Sequence, residues 1–432
     1  MHRTARVGLP AVLAAAAVAL ATTSASAAPP APRTERISVT ATDAEADSGS
    51  GGAQLSADGR YAAFTSYAGN LVPGDPHDTN DVFVRDLAKG TLERVSVASD
   101  GTPGDRQSEA AGISADGRYV VFRSNSTNLA PRDPAAADWA YDVYVHDRRT
   151  GTTERVSTTP DGAPAYANWT AGISDDGRYV AFNARPSQLE PGETDINPAV
   201  YVHDRTTGAT ERVSNRAHPA LAGYGLAISG NGRYVAYTQN GVRSGDGLVH
   251  VHDRRTGTEQ QVNVTPDGAP SALGGWSPSL SDDGRTVAFV SSAQDLVAGT
   301  PDVSPRQYVR DLRTGTTRRV DPVDGGEPGS YAGQLSGDGR YLAYGVRLRV
   351  PGTEYDVAEN VYVRNLRTGA STLASVSAGG GPVTDADVYA GSLDEHGRRI
   401  GLGTGSAQLV PGDTNGLSDA FVRGLRPGSN RR

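Results

Sequence analysis

Gly112-Ile113-Ser114-Ala115-Asp116-Gly117-Arg118-Tyr119-Val120-Val121-Phe122 is the stretch from which the fold can be read. A short apolar piece ends in serine, an Asp-Gly turn reverses the chain, and a second apolar strand leaves it. The turn returns at Asp58, Asp116, Asp176, Asn231, Asp283, Asp338 and His396-Gly397-Arg398, at intervals of 52 to 60 residues. A repeat of that length means that each unit is one small sheet, able to bury its faces only against its neighbours.

Superimposing the copies gives four strand-like pieces per unit. The first ends in Ser, as in Gly172-Ile173-Ser174. The second, such as Tyr179-Val180-Ala181-Phe182 or Tyr341-Leu342-Ala343-Tyr344, is almost continuously apolar, which implies burial on both faces. A long variable connection leads to the third, Asp142-Val143-Tyr144-Val145 and its echoes at Val82, Val200, Val361 and Ala420. A Thr-Gly turn such as Arg149-Thr150-Gly151 then leads to the fourth, Glu154-Arg155-Val156-Ser157. Four antiparallel strands in each of seven units predict an all-β chain, a seven-bladed β-propeller. The last unit stops after its third strand, Phe421-Val422-Arg423, while Glu35-Arg36-Ile37-Ser38 is an orphan copy of the fourth. Pairing the two would close the ring and cover the exposed edges.

These repeats, Ser-x-Asp-Gly-Arg-Tyr-Val-Ala-Phe followed by Asp-Val-Tyr-Val-x-Asp, resemble the WD40-like, Asp-rich (PD40) repeats of the secreted bacterial TolB-like propellers. The resemblance spans residues 35–425 and implies the propeller fold. TolB has a further N-terminal α/β domain with no counterpart in this sequence, so its envelope-translocation role is not carried over. Peptidase relatives gate a C-terminal hydrolase domain, which also has no counterpart here.

The ends suggest a compartment. Arg3 and Arg6 precede an apolar stretch from Val7 to Ala21 and the small residues Ala25-Ser26-Ala27, which reads as a signal peptide over 1–27. Residues 28–34 are expected to be a flexible lead-in and 426–432 a disordered tail. The chain has no cysteine, so neither disulfides nor a lipidated cysteine holds it, and no second long apolar run reads as a membrane span. Free secretion, as a monomer, is the expectation. The net charge of −8, more negative still without Arg3 and Arg6, disfavours nucleic acid as a partner.

In this topology the Asp-Gly-Arg and Thr-Gly turns share one rim, and the long connections share the other. Long loops on a rigid scaffold are where binding residues concentrate. The three tryptophans, Trp139, Trp169 and Trp276, fall in these connections, with Tyr166, Tyr224 and Tyr331. Such aromatics could stack on sugars or on a partner's apolar groups, or could simply pin the loops. The same rim is acidic, with Asp75, Asp78 and Asp81 in unit one and Asp413, Asn415 and Asp419 in unit seven. Oxygen ligands at alternate positions around Gly416 could converge on calcium, although the pattern lacks the distal Glu of a full calcium loop. Asp and Asn also build turns without any metal. No cofactor is required, and calcium is the one ion the pattern admits.

Catalytic signatures are sparse. His146, His203 and His252 share one repeat slot at the end of the third strand, too far apart to share an ion, and read as a polar, partly exposed position. His250 replaces an aromatic and reads as packing. No Gly-x-Ser-x-Gly elbow occurs, and Ser281-Asp282-Asp283-Gly284-Arg285-Thr286 lacks the spacer of a sialidase Asp-box. The leading expectation is a non-catalytic scaffold that binds an extracellular or cell-wall partner, protein or glycan, on its long-loop face. The alternative is a carbohydrate-active enzyme, a glycoside hydrolase or polysaccharide lyase, using carboxylates of that face. A metal-dependent lyase would need a richer cluster than His77 and His218.

Overall fold

The side chains of each Ser-x-Asp-Gly-Arg turn build the turn themselves. In the first copy Ser56 Oγ donates to Asp58 Oδ1 (2.6 Å), Asp58 Oδ1 also accepts the Arg60 N–H, and Ser56 Oγ accepts the Tyr61 N–H (both 2.9 Å). The same three bonds recur at Ser114, Ser174, Ser229, Ser281 and Ser336. In the seventh copy Asp394 takes the serine position and accepts the Arg398 N–H. The bonds of this turn are therefore local to it in each blade.

The computed structural model describes residues 33–75, 79–131, 140–159, 162–165, 171–190, 192–215, 225–240, 247–271, 273–300, 303–323, 325–329, 332–350, 352 and 357–425. They form seven antiparallel sheets arranged in a ring, a seven-bladed β-propeller. Blades 1 to 6 span 54–94, 108–155, 171–212, 226–261, 275–320 and 326–373. Blade 7 spans 388–424 and is completed by Thr34–Arg36, which pairs with Asp419–Gly424 in the register Thr34↔Arg423, Arg36↔Phe421. The orphan strand thus closes the ring, and its pairing begins at Thr34, inside the expected flexible lead-in. The leader at 1–27 and the tail at 426–432 lie outside the described residues. The innermost strand of blade 6 is split into Gly326–Pro328 and Gln334–Leu335. A single helical turn, Pro186–Leu189, stands in the long connection of blade 3.

The core lies between blades. Ala62, Ala63 and Phe64 of the second strand of blade 1 are all fully buried, as are Val120, Val121 and Phe122 in blade 2. In blades 1, 2, 3 and 5 the second strand stacks an aromatic on one from the third, for example Phe64 on Phe83 (5.8 Å) and Phe122 on Tyr144 (5.6 Å). Three interfaces add the same clamp: Arg148 lies 4.3 Å from the Tyr61 ring centroid, Arg205 4.2 Å from Tyr119, and Arg254 4.2 Å from Tyr179. Each arginine also pairs with a glutamate of the preceding blade, Glu93, Glu154 or Glu211. The tyrosine ring presses on the next blade's turn glycine: a Cβ on Gly117, at φ +71°, would sit 2.1 Å from Tyr61. Only glycine fits both demands.

The histidine slot is partly exposed, as read, at His252, Arg364 and Arg423, but buried in the other four copies. His146 and His203 are 5% and 7% exposed, and their Nδ1 atoms bond Thr153 and Thr210 hydroxyls at 2.9 Å. Arg85 and Arg310 fill the same slot and are buried too. In those four copies the linkers between blades pass over the slot; Arg85 reaches the carbonyl oxygens of Ile37 and Val39 in the first of them. Burial lowers the pKa of both histidines. His250 packs on Tyr237 as expected and is also hydrogen-bonded to Glu259.

Candidate functional site

Among the described residues, strand order places the strand ends that the long connections join on the face opposite the Asp-Gly-Arg and Thr-Gly turns. Of the aromatics expected there, Trp139, Trp169, Tyr166, Tyr224 and Tyr331 lie outside the described residues. Trp276 is part of the innermost strand of blade 5, Gly275–Leu280, and pairs with Val290. It is therefore a strand residue rather than a loop residue. A bulge before Ser279 lets this strand run further toward the long-loop face, and blades 2 and 7 carry the same irregularity.

The acidic rim is neutralised from within. Asp81 is 2% exposed, accepts a hydrogen bond from Ser96, and with Asp75 flanks Arg94 at 3.2 and 3.3 Å. In blade 7, Arg36 from the closing strand lies 3.1 Å from Asp419 and 3.5 Å from Asp413, and pairs with Glu45. Asn415 spends its oxygen on the Leu417 N–H and its amide on the Ala46 carbonyl. Arg155 beside Asp142 and Arg212 beside Glu190 repeat the arrangement in blades 2 and 3 (both 3.2 Å). A guanidinium thus stands among the carboxylates that a cation would need. Among the described residues no group of three or more His, Asp or Glu is arranged to hold a metal. Burial raises the pKa of Asp81, Asp413 and Asp419 against the pull of these arginines.

The open chemistry lies at the long-loop mouth of the central channel, between blades 7, 1 and 2. A depression of about 420 Å³ there is lined by Tyr67, Asn80, Glu109 and Tyr389. Tyr67 is 52% exposed. Beside it Arg123 pairs with Glu109 and stacks 5.3 Å from the Tyr141 ring centroid, while the Tyr141 hydroxyl donates to Gln107 Oε1 at 2.5 Å. Burial, and then Glu109, raise the Tyr141 pKa, so the phenol is a neutral hydrogen-bonding group at physiological pH. Tyr389 lies flat on blade 7, where a Cβ on Gly403 would strike its ring. Tyr67, Glu109, Arg123, Tyr141 and Tyr389 were missed in the sequence. One signal was present: Arg123 is the only charge in a repeat slot otherwise held by Thr65, Asn183, Thr238, Val290, Gly345 and Gly403.

The depression opens into the channel, a cavity of about 510 Å³ walled by innermost strands of all seven blades and sharing Glu109 and Ala110 with the mouth. At the short-turn end the x residues of the Ser-x-Asp turns converge: Ala57, Ala115, Asp175, Gly230, Asp282, Gly337 and Glu395. Backbone bonds tie them blade to blade, including Asp175 N–H to Gly230 O and Asp282 N–H to Gly337 O (both 2.8 Å). Three carboxylates in so small a ring oppose one another's ionisation. Asp282 is pushed up to about 7, first by burial and then by Asp175 and Glu395. Asp175 is pushed up to about 6 by burial and by Glu395.

No protein-family model and no curated protein matches the sequence. Solved structures do match. An oligogalacturonate lyase in complex with manganese is 14% identical over 88% of this chain and 89% of its own, with a TM-score of 0.54. The oligogalacturonate lyase of Vibrio parahaemolyticus is 11% identical over 91% and 97%, with a TM-score of 0.55. TolB from Acinetobacter baumannii is 17% identical over 88% and 80%, with a TM-score of 0.38. For the two lyases, likeness at these identities is likeness of fold.

Proposed function

We propose that this protein is an exported, non-catalytic propeller that captures an extracellular or cell-wall partner, protein or glycan, on its long-loop face. The observation that carries the reading is the channel mouth, where half-exposed Tyr67 stands beside the Tyr141–Arg123–Glu109–Gln107 cluster. Aromatic faces next to a guanidinium, a carboxylate and an amide suit sugar rings and their hydroxyls, and they also suit a partner's polar loop. Catalysis by rim carboxylates has less support. Glu109 is held by Arg123, and Asp75, Asp81, Asp413 and Asp419 by Arg94 and Arg36, which suits positioning better than proton transfer. Export rests on the leader at 1–27 and would be seen as a secreted protein beginning at Ala28.

The test is retention of the purified protein on a panel of cell-wall polysaccharides and surface proteins, with Tyr141→Ala and Arg123→Ala as variants. Retention that weakens at least tenfold in both supports the mouth as the binding site. Undiminished retention would move the site elsewhere, and substrate turnover by the parent protein would replace the binding reading with the enzymatic one.

A further inference from the structure

The clamp between blades 1 and 2, 2 and 3, and 3 and 4 is dismantled between blades 5 and 6. Thr286 stands where the clamp needs Tyr61, Tyr119 or Tyr179; Arg318 where it needs Glu93, Glu154 or Glu211; and Leu366 where it needs Arg148, Arg205 or Arg254. A further carboxylate is lost nearby. In blades 1 to 4 the turn arginine pairs with the aspartate ending the third strand, as Arg60 does with Asp86 (2.8 Å) and Arg178 with Asp204 (2.7 Å). In blade 6 that residue is Asn365, which donates to the Tyr341 hydroxyl at 3.2 Å. Arg340 is left 76% exposed, 3.9 Å from Asp338.

Removing a tyrosine and an arginine from one interface leaves space, and replacing acids with Arg318 and Asn365 leaves positive charge. The outcome is a cleft of about 590 Å³ lined by Arg318, Arg319, Arg340, Arg364 and Arg367 against a single carboxylate, Asp311. That carboxylate already accepts the Arg313 and Thr314 N–H groups (both 2.9 Å). Arg319 is held by Asp321, whereas Arg318 and Arg364 reach only the backbone carbonyls of Leu366 (3.5 Å) and Asp321 (3.1 Å). Among the described residues, Arg318, Arg364 and Arg367 have no carboxylate within ion-pair distance. Val309, Val320 and Leu366 add an apolar wall.

We propose that this cleft, on the opposite side of the molecule from the long-loop mouth, binds an ester bearing a tetrahedral oxyanion, phosphate or sulfate. Planar guanidinium forks match such oxyanions with paired hydrogen bonds, and several together favour a head group with more than one charged oxygen. The apolar wall gives the organic body of the ester a surface to rest on. Nothing at the long-loop face is needed for this binding.

Calorimetry on the full secreted chain at low salt, with glucose 6-phosphate, glucose 6-sulfate and glucose as probes, tests the assignment. At least one ester should bind tenfold or more tighter than glucose. The two sources separate by pH, because a phosphate ester gains its second charge near a pKa of about 6 and should bind tighter at pH 7.5 than at pH 5, whereas a sulfate ester should not change. The double variant Arg318→Glu, Arg340→Ala, at two exposed positions, should weaken ester binding at least tenfold. The triple variant Thr286→Tyr, Arg318→Glu, Leu366→Arg copies the clamp found between blades 1 and 2, 2 and 3, and 3 and 4, so it should fold while closing the cleft and abolishing binding. Failure of both esters to bind better than glucose, or equal binding to the triple variant, would overturn the proposal. Tyr141→Ala should leave ester binding unchanged, which separates this site from the one at the channel mouth.

Discussion

Replacing Asp282 with asparagine should stabilise the protein, and only above a defined pH. An aspartate ordinarily has a pKa of 3.8, whereas in the folded ring Asp282 is raised to about 7 by burial and by Asp175 and Glu395. The folded state therefore holds this proton more tightly than the unfolded chain. Below pH 4 both states are protonated and the group contributes nothing. As pH rises from about 4 to about 7 the unfolded chain ionises first, stability falls, and above pH 7 the full penalty is present. A shift of about three units at about 1.4 kcal/mol each sets a ceiling of about 4 kcal/mol. Water in the channel and the adjustment of Asp175 once its neighbour is neutral reduce this to about 1–3 kcal/mol. Asparagine is isosteric, and Gly337 leaves it room, since a Cβ there would stand 2.0 Å from Asp282 Oδ2. Urea unfolding followed by tryptophan fluorescence, at pH 4 and pH 8, measures the difference. Asp282→Asn should match the parent at pH 4 and exceed it by about 1–3 kcal/mol at pH 8. An equal gain at both pH values, or none at pH 8, would refute the assignment of mutual repulsion to this ring.

Other consequences of the structure can be measured the same way. Arg36→Ala should cost about 3–5 kcal/mol, because it leaves the fully buried Asp419 without its charged partner, with only Ser38 still donating to it from the closing segment, and the loss should shrink in acid as that carboxylate is protonated. Gly391→Ala should cost about 1–3 kcal/mol, since its Cβ would fall 1.9 Å from the Ala53 carbonyl oxygen where blade 7 meets blade 1; a neutral result would mean the ring closes more loosely than described. In a double-mutant cycle, Arg205→Ala and Tyr119→Leu should couple by about 0.5–2 kcal/mol, and that coupling should survive 0.5 M salt better than the Arg205–Glu154 pair does.

The sequence by itself determined the blade number, the strand order and the closure by the N-terminal segment, because the information for each is local. Ser56, Asp58, Gly59 and Tyr61 form their turn within six residues, and the turn repeats seven times. Position 37 reads as the outermost strand of a blade whose other three strands lie near residue 420, and the Ile37 N–H duly bonds the Ala420 carbonyl. Charge was different. Asp413 and Asp419 look like ligands when read along the chain, and only the tertiary structure brings Arg36 between them from 383 residues away. Likewise His146 and His203 looked partly exposed because a strand end faces solvent until the linkers between blades cover it. The convergence of Asp175, Asp282 and Glu395, the stack of Arg123 on Tyr141 and the cleft between blades 5 and 6 all arise from neighbours across an interface or a channel. Backbone pattern is set within a unit, whereas electrostatics depends on distance in space, and the ring decides which units face one another.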